Sequence, residues 1–338
     1  MRFSVSIQPS GHAFTADGNE TILEAALRQG LTLPYGCRDG ACGACKGQVL
    51  AGEVDHGKAQ AHALTEDERA AGKTLFCCAT AKSDLVIESR EARKAGDIPV
   101  RTLPARVQSL EQVAPDVMIV RLALPASERL QFLAGQYIDI LLKDGRRRSF
   151  SLANAPHDDS LLELHVRLVP GGLFTTHVFS TMKEKDILRI NGPHGNFFLR
   201  EESARPLLLV AGGTGFAPVK AIVEHALAEG CTRPIVVYWG GRASADLYRR
   251  ELAESWGKQG IDFVPVLSAP GEDDVWQGRT GFVHEAVMAD FPDLSGHQVY
   301  VCGSPAMVAA ARRDFRARCA LPEDEFFADS FDFANDKA

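Results

Sequence analysis

The sequence predicts a multidomain protein with α+β and α/β parts: a small β-grasp domain, an antiparallel β-barrel and a doubly wound parallel sheet, in that order. The chain has 338 residues, and at roughly 100–200 residues per domain this length gives two or three domains. A glycine-rich loop with closely spaced cysteines lies among short strands near the beginning. Further along, short strands separated by turns give way to apolar strands that alternate with helices.

The first domain is predicted to span residues 1–92 and to have the two-strand, helix, two-strand layout of a β-grasp fold. The charged residues 90–97 show no apolar period, so they are predicted to be a linker. The predicted elements are strands at residues 3–8 and 12–16, a helix at 20–30, a hairpin at 46–55, a polar stretch at 65–72 and a final segment at 74–88.

The second domain, predicted at residues 99–202, contains short strands separated by Pro, Gly and Asp turns. This spacing is typical of an antiparallel barrel. One helix, at residues 172–182, interrupts the strands. The predicted strands are residues 105–112, 117–124, 136–142, 147–154, 161–169 and 186–193.

The third domain, predicted at residues 203–338, alternates apolar strands with helices. Such alternation indicates βαβ units and therefore a parallel, doubly wound sheet. The predicted strands are residues 206–211, 234–240, 263–268 and 298–303, and the predicted helices are residues 219–230, 244–256, 281–291 and 305–319.

Composition excludes several classes of protein. Apolar residues make up 45% and charged residues 24%, as in ordinary globular proteins. The net charge of −7 argues against binding to nucleic acid or to an anionic membrane, since both require a basic surplus. No apolar run approaches the roughly 20 residues of a membrane helix, and the first residues lack the pattern of a signal peptide. We therefore expect a cytoplasmic protein, in which cysteines serve metal or redox chemistry rather than disulfides.

Five of the eight cysteines precede residue 80. Cys37, Cys42 and Cys45 have the spacing C-x4-C-x2-C, and a fourth cysteine follows far downstream as Cys77 or Cys78. This is the plant-type [2Fe–2S] pattern. A zinc site would show a second paired knuckle, which is missing. Zinc and buried structural thiols remain the alternatives.

Glycines in the same loop favour the cluster. Gly36, Gly40 and Gly43 lie between or beside the three cysteines. Because glycine permits positive φ and close backbone approach, amide N–H groups in this loop can point at the sulfurs.

Two motifs in the third domain indicate a nucleotide site. Gly212, Gly213 and Gly215 lie between an apolar strand and a helix, where glycine lets a dinucleotide pyrophosphate reach the amides of the helix N-terminus. Pro218 suits the first helical turn. Cys302 ends a strand, so its thiol is expected to face bound ligand at the carboxyl edge of the sheet. A tight turn without a ligand and an inert buried thiol are the respective alternatives.

A basic run in the second domain, Arg146-Arg147-Arg148, has two interpretations. Such runs are usually solvated. At the start of a strand, however, an arginine can bind a phosphate bidentately while the nearby Phe150 packs on a flat ring.

Taken together and in this order, the motifs resemble the ferredoxin–NAD(P)H reductase family in the form that carries an N-terminal plant-type ferredoxin domain. That form includes oxygenase reductase components and CDP-6-deoxy-3,4-glucoseen reductases, and residues 33–47 and 236–248 look closer to the deoxysugar type. The resemblance covers essentially the whole chain. It implies that Cys77 is the fourth cluster ligand and Cys78 the variable residue that follows it.

Residues 148–151 are similar to the family's R-x-[Y/F]-S flavin motif. The resemblance implies that Arg148 binds the FAD pyrophosphate, that Phe150 packs on the isoalloxazine and that Ser151 hydrogen-bonds near its N5. The further FAD residues that it implies are His165, Gly172, Thr175 and, in the aromatic tail, Phe331.

The third domain resembles the family's nicotinamide-binding part. The stretch from Gly212 to Pro218 is similar to the G-G-T-G-x-x-P loop, and residues 302–307 look like the C-G-x-P-x-M motif. The likeness places Cys302 beside the nicotinamide as a positioning and electrostatic contact, and Ser151 and Cys302 are the predicted catalytic residues. The implied NAD(P)H-binding residues are Gly212, Gly213, Thr214, Gly215, Pro218, Arg242, Cys302, Gly303 and Met307.

The coenzyme preference depends on two residues after the second strand of the third domain. Arg242 is a conceivable ligand of the NADPH 2′-phosphate. The nearby Asp246, together with the likeness to NADH-using relatives, favours NADH.

The resemblance implies an NADH-dependent reductase that passes electrons through FAD and a [2Fe–2S] cluster to a partner protein, an oxygenase or dehydratase component. The predicted function is that of a CDP-6-deoxy-3,4-glucoseen reductase-like protein. The alternatives are the reductase component of an aromatic-ring dioxygenase or monooxygenase, and a non-enzymatic electron-transfer or redox-sensing subunit. The intact loop at residues 212–218 and the Cys302 motif argue against the last of these.

Overall fold

The computed structural model describes residues 2–41, 43–89, 93–94, 98–271 and 274–331. Their contacts group them into two compact units: residues up to Pro99 with residues 328–331, and residues 100–327. The predicted domain boundaries, 1–92, 99–202 and 203–338, stay predictions. Within the described residues, no helix is both long enough and apolar enough to cross a membrane.

The first unit contains a five-stranded mixed sheet in the order β2-β1-β8-β4-β6. Strand β1 pairs antiparallel with β2 and parallel with β8, which is the β-grasp arrangement. Two further pairs, β3 with β9 and β5 with β7, are two residues long. The strands are β1 (Arg2–Gln8), β2 (Ala13–Asp17), β3 (Leu31–Thr32), β4 (Lys46–Ala51), β5 (Val54–Asp55), β6 (Lys73–Leu75), β7 (Thr80–Ala81), β8 (Leu85–Glu88) and β9 (Arg93–Lys94).

Two capped helices accompany this sheet. Helix α1 (Ile22–Arg28) begins at a capping box made by Thr21 and Glu24, and Gly30 follows its end with a φ of 75°. Helix α2 (Glu66–Ala70) lies in the stretch predicted to be merely polar. It begins at the same kind of box, Thr65 with Glu68, which is recognisable in the sequence.

The predicted linker at residues 90–97 is only partly described. Arg93 and Lys94 form β9, which pairs with β3, so at least these two residues belong to the first unit's fold. The remaining residues of the predicted linker lie outside the described residues.

The second unit begins with a six-stranded antiparallel sheet in the order β13-β12-β15-β10-β11-β14. A bridge between Leu152 and Leu164 joins its two edges and closes the predicted barrel around an apolar core. The elements are β10 (Arg101–Ala114), β11 (Val117–Ala123), β12 (Tyr137–Leu141), β13 (Arg147–Ser151), β14 (Leu162–Arg167), α3 (Leu173–Ser180) and β15 (Ile187–His194).

A six-stranded sheet follows in the order β19-β18-β17-β16-β20-β21, and the residues of β21 after position 327 are grouped with the first unit. Strand β16 pairs in parallel with β17 on one side and with β20 on the other, so the chain switches direction at β16 as in a doubly wound sheet. The elements are β16 (Leu207–Gly212), α4 (Phe216–Ala228), β17 (Ile235–Gly241), α5 (Arg250–Ser255), β18 (Asp262–Leu267), β19 (Arg279–Thr280), α6 (Val283–Asp290), β20 (Gln298–Gly303), α7 (Pro305–Arg318) and β21 (Phe326–Ser330).

The helix predicted at residues 244–256 is wrong in its first half. A short 3₁₀ turn, Ser244–Asp246, comes first, and α5 begins only at Arg250. The carboxylate of Asp246 accepts the backbone N–H groups of Arg242 and Ala243, which holds the chain in a loop. Tyr248 then reaches the barrel through a hydrogen bond to His165. Tertiary contacts therefore override the helical period of this segment.

Candidate functional site

The cysteine-rich loop and the segment after β6 meet in the first unit. Cys45 and Cys77 are buried, and Cys37 is half-buried. The predicted ligand Cys42 lies outside the described residues. The amide of Phe76 donates to the carbonyl of Cys45 and extends the pairing of β4 with β6, which brings the Cys45 and Cys77 segments side by side.

Helix α1 holds the Cys77 segment from the other direction. The N–H of Ile22 donates to the carbonyl of Ala79, and the N–H of Leu23 donates to the carbonyl of Phe76. The first turn of a helix has amides without intrahelical partners, and here two of them anchor the chain on either side of Cys77 and Cys78. The fourth predicted ligand is thus held by backbone contacts at both ends.

The sulfur atoms distinguish the two adjacent cysteines. A hydrogen bond with Cys45, together with burial, raises the pKa of the Cys77 thiol well above its usual range. The Cys78 sulfur lies 3.6 Å from that of Cys77. It also lies against Gly40, where a Cβ would approach it to 2.7 Å. Cys77 thus contacts Cys45, whereas the Cys78 sulfur contacts Cys77 and Gly40, and this supports Cys77 as the ligand.

The residues of this loop fit an iron–sulfur cluster. Thiolates are the ligands of [2Fe–2S] clusters, and bound iron would relieve the crowding of buried thiols that raises the Cys77 pKa. Gly40 and Gly43 have φ values of 77° and 70°, and the N–H of Asp39 donates to the Cys37 sulfur at 3.4 Å. A backbone amide thus reaches a cysteine sulfur in this loop, as expected from its glycines. Among the described residues no three metal-binding side chains form a single-ion site.

The predicted flavin motif runs along β13. Ser151 is buried, and its Oγ has no hydrogen-bond partner among the described residues. A buried hydroxyl without a partner is costly, so this atom is suited to a bound group that supplies one. Phe150 contacts Phe174, with ring centroids 5.2 Å apart, and the half-buried Arg148 donates to the carbonyl of Arg147. These residues fit FAD, and their individual roles stay predictions.

The second predicted flavin motif lies at the start of α3. Gly172 is the N-cap of this helix, and a Cβ there would approach the Thr175 hydroxyl to 2.8 Å. The Thr175 hydroxyl accepts the N–H of Val169, which folds the turn back on the helix. Phe331 is half-buried just after β21. The predicted role of Phe331 at the flavin stays a prediction.

His165 takes part in a buried polar chain. Its Nε2 lies 3.1 Å from Glu163 and its Nδ1 lies 2.8 Å from the Tyr248 hydroxyl. Burial raises the pKa of Glu163, but the hydrogen bond to His165 and the charges of Lys220 and Arg121 outweigh it and hold that pKa well below its usual range. Because burial also lowers the pKa of His165, the ring is neutral and donates from Nε2 to the Glu163 carboxylate. Both ring nitrogens are thus engaged within the protein, and the FAD role of His165 stays a prediction.

The dinucleotide motifs converge at the ends of β16 and β20. Parallel pairing sets Ala211 beside Cys302, and the loops that follow pack on each other. A Cβ at Gly212 would approach the Met307 sulfur to 2.5 Å, and one at Gly215 would approach the Cys302 carbonyl oxygen to 2.2 Å. The two glycine motifs are therefore brought together at the switch point, where doubly wound folds bind nucleotides.

The surrounding residues complete this predicted coenzyme loop. Thr214 lies in the 3₁₀ turn Gly213–Gly215, which runs directly into α4, and Pro218 is buried in the first turn of that helix. Gly303 packs closely on Gly212: a Cβ built at Gly303 would lie only 3.2 Å from the Gly212 Cα. The Cys302 side chain is fully covered by protein. A contact with nicotinamide thus requires a neighbouring group to move aside.

The loop after β17 centres on Asp246. Its carboxylate accepts the amides of Arg242 and Ala243 and lies 2.6 Å from the Arg167 guanidinium. Burial raises the pKa of Asp246, but these amides and Arg167 outweigh that effect and lower it. The Arg242 side chain is exposed. The ionised Asp246 carboxylate therefore lies in the loop that is predicted to contact a coenzyme 2′-phosphate.

Sequence reasoning missed several residues that cross from the barrel to the nucleotide-binding part. Arg167 ends β14, pairs with Asp246 and lies against Gly213, where a Cβ would approach its Nη1 to 2.8 Å. Lys220 of α4 lies 3.3 Å from Glu163. In the sequence, Arg167 is recognisable only as a charged residue at the end of an apolar strand, and Lys220 only as a charged residue early in a buried helix.

Known proteins show the same three parts in the same order. Models of the 2Fe-2S iron-sulfur cluster binding domain, the oxidoreductase FAD-binding domain and the oxidoreductase NAD-binding domain match residues 5–82, 104–199 and 209–313. CDP-6-deoxy-L-threo-D-glycero-4-hexulose-3-dehydrase reductase of Yersinia pseudotuberculosis is 44% identical over 98% of this chain and 99% of its own. This chain belongs to the ferredoxin–NAD(P)H reductase family. It is an oxidoreductase with FAD, a [2Fe–2S] cluster and NAD(H) as its cofactors, so the alternative of a non-enzymatic subunit is not kept.

Other relatives of this reductase are reductases of oxygenase systems. The reductase component of phenol 2-monooxygenase from a Pseudomonas species is 39% identical over 92% of this chain and 89% of the relative. The crystal structure of the Amycolatopsis cytochrome P450 reductase GcoB has a TM-score of 0.78 and 38% identity, covering 98% of this chain and 100% of that one. The predicted fold class, reductase class and cofactors are thus confirmed, and such reductase components pass electrons to a partner.

Proposed function

We propose that this chain is the NADH-dependent reductase of a dehydrase that acts on a CDP-linked deoxyhexulose. The observation that carries the proposal is the 44% identity with the Yersinia dehydrase reductase along essentially both whole chains. The relatives from phenol hydroxylation are 39% identical and cover less of both chains. The reductase component of an aromatic monooxygenase or dioxygenase is therefore the second candidate.

When bound, FAD and the [2Fe–2S] cluster would let the protein convert the two-electron reducing power of NADH into single electrons for a partner. The chain's own residues bind and orient these groups. Cys37, Cys42, Cys45 and Cys77 would hold the cluster, and the unpartnered Ser151 hydroxyl would hydrogen-bond the flavin.

At the coenzyme end, glycines give the dinucleotide access to backbone amides. Gly212 and Gly215 pack on the Cys302–Gly303 turn, and the 3₁₀ turn Gly213–Gly215 runs into the N-terminus of α4. The amides of that terminus and the helix dipole favour an anionic pyrophosphate. The packing of the two loops on each other supports the proposal that Cys302 lies near the nicotinamide once the group that covers its side chain moves aside.

The test of the proposed function has two stages. In the first, the purified holoprotein is mixed anaerobically with NADH, and the flavin and cluster absorbance are followed. We expect rapid bleaching of both, and absence of bleaching would contradict an NADH-dependent reductase. In the second, the reduced protein is mixed with a purified CDP-deoxyhexulose 3-dehydrase or with a phenol hydroxylase oxygenase. Faster reoxidation by the oxygenase would favour the second candidate.

Replacing Cys302 by serine is predicted to slow hydride transfer while leaving both bound groups in place. Serine keeps the size of the side chain but removes the polarisable sulfur expected beside the nicotinamide. We expect the rate of flavin reduction by NADH to fall on the order of tenfold, which corresponds to about 1.4 kcal/mol in the barrier. Stopped-flow absorbance under anaerobic conditions measures this rate. Cys231→Ser, at a half-buried thiol outside the motifs, is the control, and unchanged reduction kinetics in the Cys302 variant would remove the proposed role.

The coenzyme preference is predicted to favour NADH. The Asp246 carboxylate holds the loop amides of Arg242 and Ala243, and its lowered pKa keeps it ionised at neutral pH. Two like charges about 4 Å apart in water repel by about 1 kcal/mol. A 2′-phosphate in this loop should therefore cost up to about fivefold in kcat/KM, because the Arg167 guanidinium beside Asp246 offsets part of the repulsion. Steady-state reduction of ferricyanide with each coenzyme measures the ratio, and a higher kcat/KM for NADPH would reverse the assignment.

We also propose a cytoplasmic location, which the sequence predicted from its composition and its cysteines. None of the seven cysteines that the structure describes forms a disulfide, which fits a reducing compartment. Fractionation of the host cells with an antibody against this chain tests the location. Recovery with the envelope fraction would contradict it.

A further inference from the structure

We infer that the indole N–H of Trp239 turns the backbone amide of Thr214 toward the coenzyme pyrophosphate, which makes Trp239 a positioning residue of the coenzyme loop. The inference rests on the proposed role of residues 212–218 in binding the dinucleotide. Trp239 belongs to neither glycine motif and is fully buried in β17.

The contact that carries the inference is a single hydrogen bond. Trp239 Nε1 donates to the carbonyl oxygen of Gly213 at 2.9 Å. Parallel pairing of β16 with β17 sets Trp239 beside Ala211, two residues before Gly213. The Trp239 ring therefore lies next to the end of β16, where the glycine loop begins.

The direction of the Thr214 amide follows from the geometry of the peptide unit. A trans peptide is planar, and its C=O and N–H point in opposite directions. The Gly213 carbonyl points inward to the buried Trp239 ring, so the N–H of Thr214, in the same peptide unit, points away from it. That side is the loop surface, where a bound pyrophosphate would meet the start of α4.

The loop needs such a restraint because its own residues provide little. Gly213 has a φ of 54°, and neither Gly212 nor Gly213 has a side chain to limit rotation of the peptide planes. The Gly213 carbonyl also accepts the N–H of Phe216 in the 3₁₀ turn. A second bond from a rigid buried ring fixes the orientation of this peptide unit before the coenzyme arrives.

Packing holds the indole in place. Its ring stacks on Phe216 with centroids 3.8 Å apart and an angle of 7° between the planes. Tyr248 meets its edge at 5.2 Å. These two aromatic contacts restrict rotation of the buried indole and so favour the hydrogen bond to Gly213.

The test compares two tryptophans that share this packing. Trp256 is also buried and stacks on Phe216 at 5.7 Å and 25°. In the part of the chain that the structure describes, its indole makes no hydrogen bond to residues 212–218. Trp239→Phe and Trp256→Phe thus both replace a buried ring, but only the first removes a donor to the loop. The dissociation constants of NAD⁺ and ADP-ribose are measured by calorimetry on each holoprotein.

We expect Trp239→Phe to weaken NAD⁺ and ADP-ribose by the same factor, about threefold to tenfold, as for one hydrogen bond. Trp256→Phe should leave both constants within about twofold of the original protein. At saturating NADH the rate of flavin reduction should be unchanged in Trp239→Phe, because the nicotinamide end is not altered. Equal binding by the two variants overturns the inference, while failure of the original protein to bind NAD⁺ contradicts the proposed function itself.

A second measurement does not depend on the folding of the Trp239 variant. The chain has three tryptophans, so ¹⁵N-indole labelling gives three N–H resonances, and Trp256→Phe and Trp276→Phe assign the remaining one to Trp239. We expect saturating ADP-ribose to shift the Trp239 resonance and to slow its exchange with solvent. A resonance that does not respond to ADP-ribose contradicts the inference.

Discussion

Replacing Cys77 by serine is expected to abolish the iron–sulfur cluster, whereas replacing Cys78 by serine leaves it in place. The two thiols are adjacent and both are buried, so exposure does not separate them. Their contacts do: the Cys77 thiol hydrogen-bonds with Cys45, while the Cys78 sulfur lies 3.6 Å behind it against Gly40. A ligand must lie near the other ligands, and the contact of Cys77 with Cys45 favours Cys77.

The expected loss in Cys77→Ser is complete because a [2Fe–2S] cluster requires four ligands and serine is a harder, more weakly binding donor. Iron content and the visible absorbance of the cluster measure this loss. Reduction of a one-electron acceptor that depends on the cluster should fall to background, while NADH still reduces the flavin. Cys78→Ser is the matched control. Iron retained in the Cys77 variant and lost from the Cys78 variant would exchange the two assignments.

Replacing Gly215 by alanine is expected to slow reduction by NADH severely without loss of FAD or the cluster. A Cβ at this position would lie 2.2 Å from the carbonyl oxygen and 2.6 Å from the carbonyl carbon of Cys302. Both neighbours are backbone atoms, so no side chain can rotate away. Gly215 has a φ of −59°, so alanine is compatible with the backbone conformation itself and the clash is the whole effect.

Relief of that clash must separate the ends of β16 and β20 by an ångström or more. Those ends carry the glycine loop and the Cys302–Gly303 turn, and misplacement by about 1 Å can cost on the order of 100-fold in rate. We therefore expect kcat/KM for NADH to fall by about 100-fold or more. Dithionite should still reduce both chromophores, which shows that they are bound.

The control for this variant is Gly257→Ala, in the same part of the chain. Nothing lies within 4 Å of a Cβ built at Gly257, and the residue sits in a short 3₁₀ helix. Its kcat/KM should stay within about twofold of that of the original protein. Normal NADH kinetics in Gly215→Ala would show that the two strand ends do not need to touch for hydride transfer.

Much of the local organisation is predictable because it depends on neighbours in the chain. The spacing of Cys37, Cys42 and Cys45 indicates the cluster, since ligand spacing in one loop is a local property. The alternation of strands and helices after residue 205 predicts the parallel sheet for the same reason. Helix α2 is predictable as well, since Thr65 and Glu68 form a capping box that is visible in the sequence.

Local patterns in the sequence are therefore enough to predict the order of the three folds, the cluster loop and the two glycine motifs. The tertiary structure alone decided which groups meet across sequence distance. It set Trp239 under Gly213, tied Asp246 to Arg167 and unwound the predicted helix at residues 244–249. The same applies to the adjacent cysteines: spacing alone leaves Cys77 and Cys78 open, and the contact of Cys77 with Cys45 supports the choice of Cys77 that the family resemblance implies. These contacts join elements that are distant along the chain, so the local pattern of apolar and polar residues does not predict them.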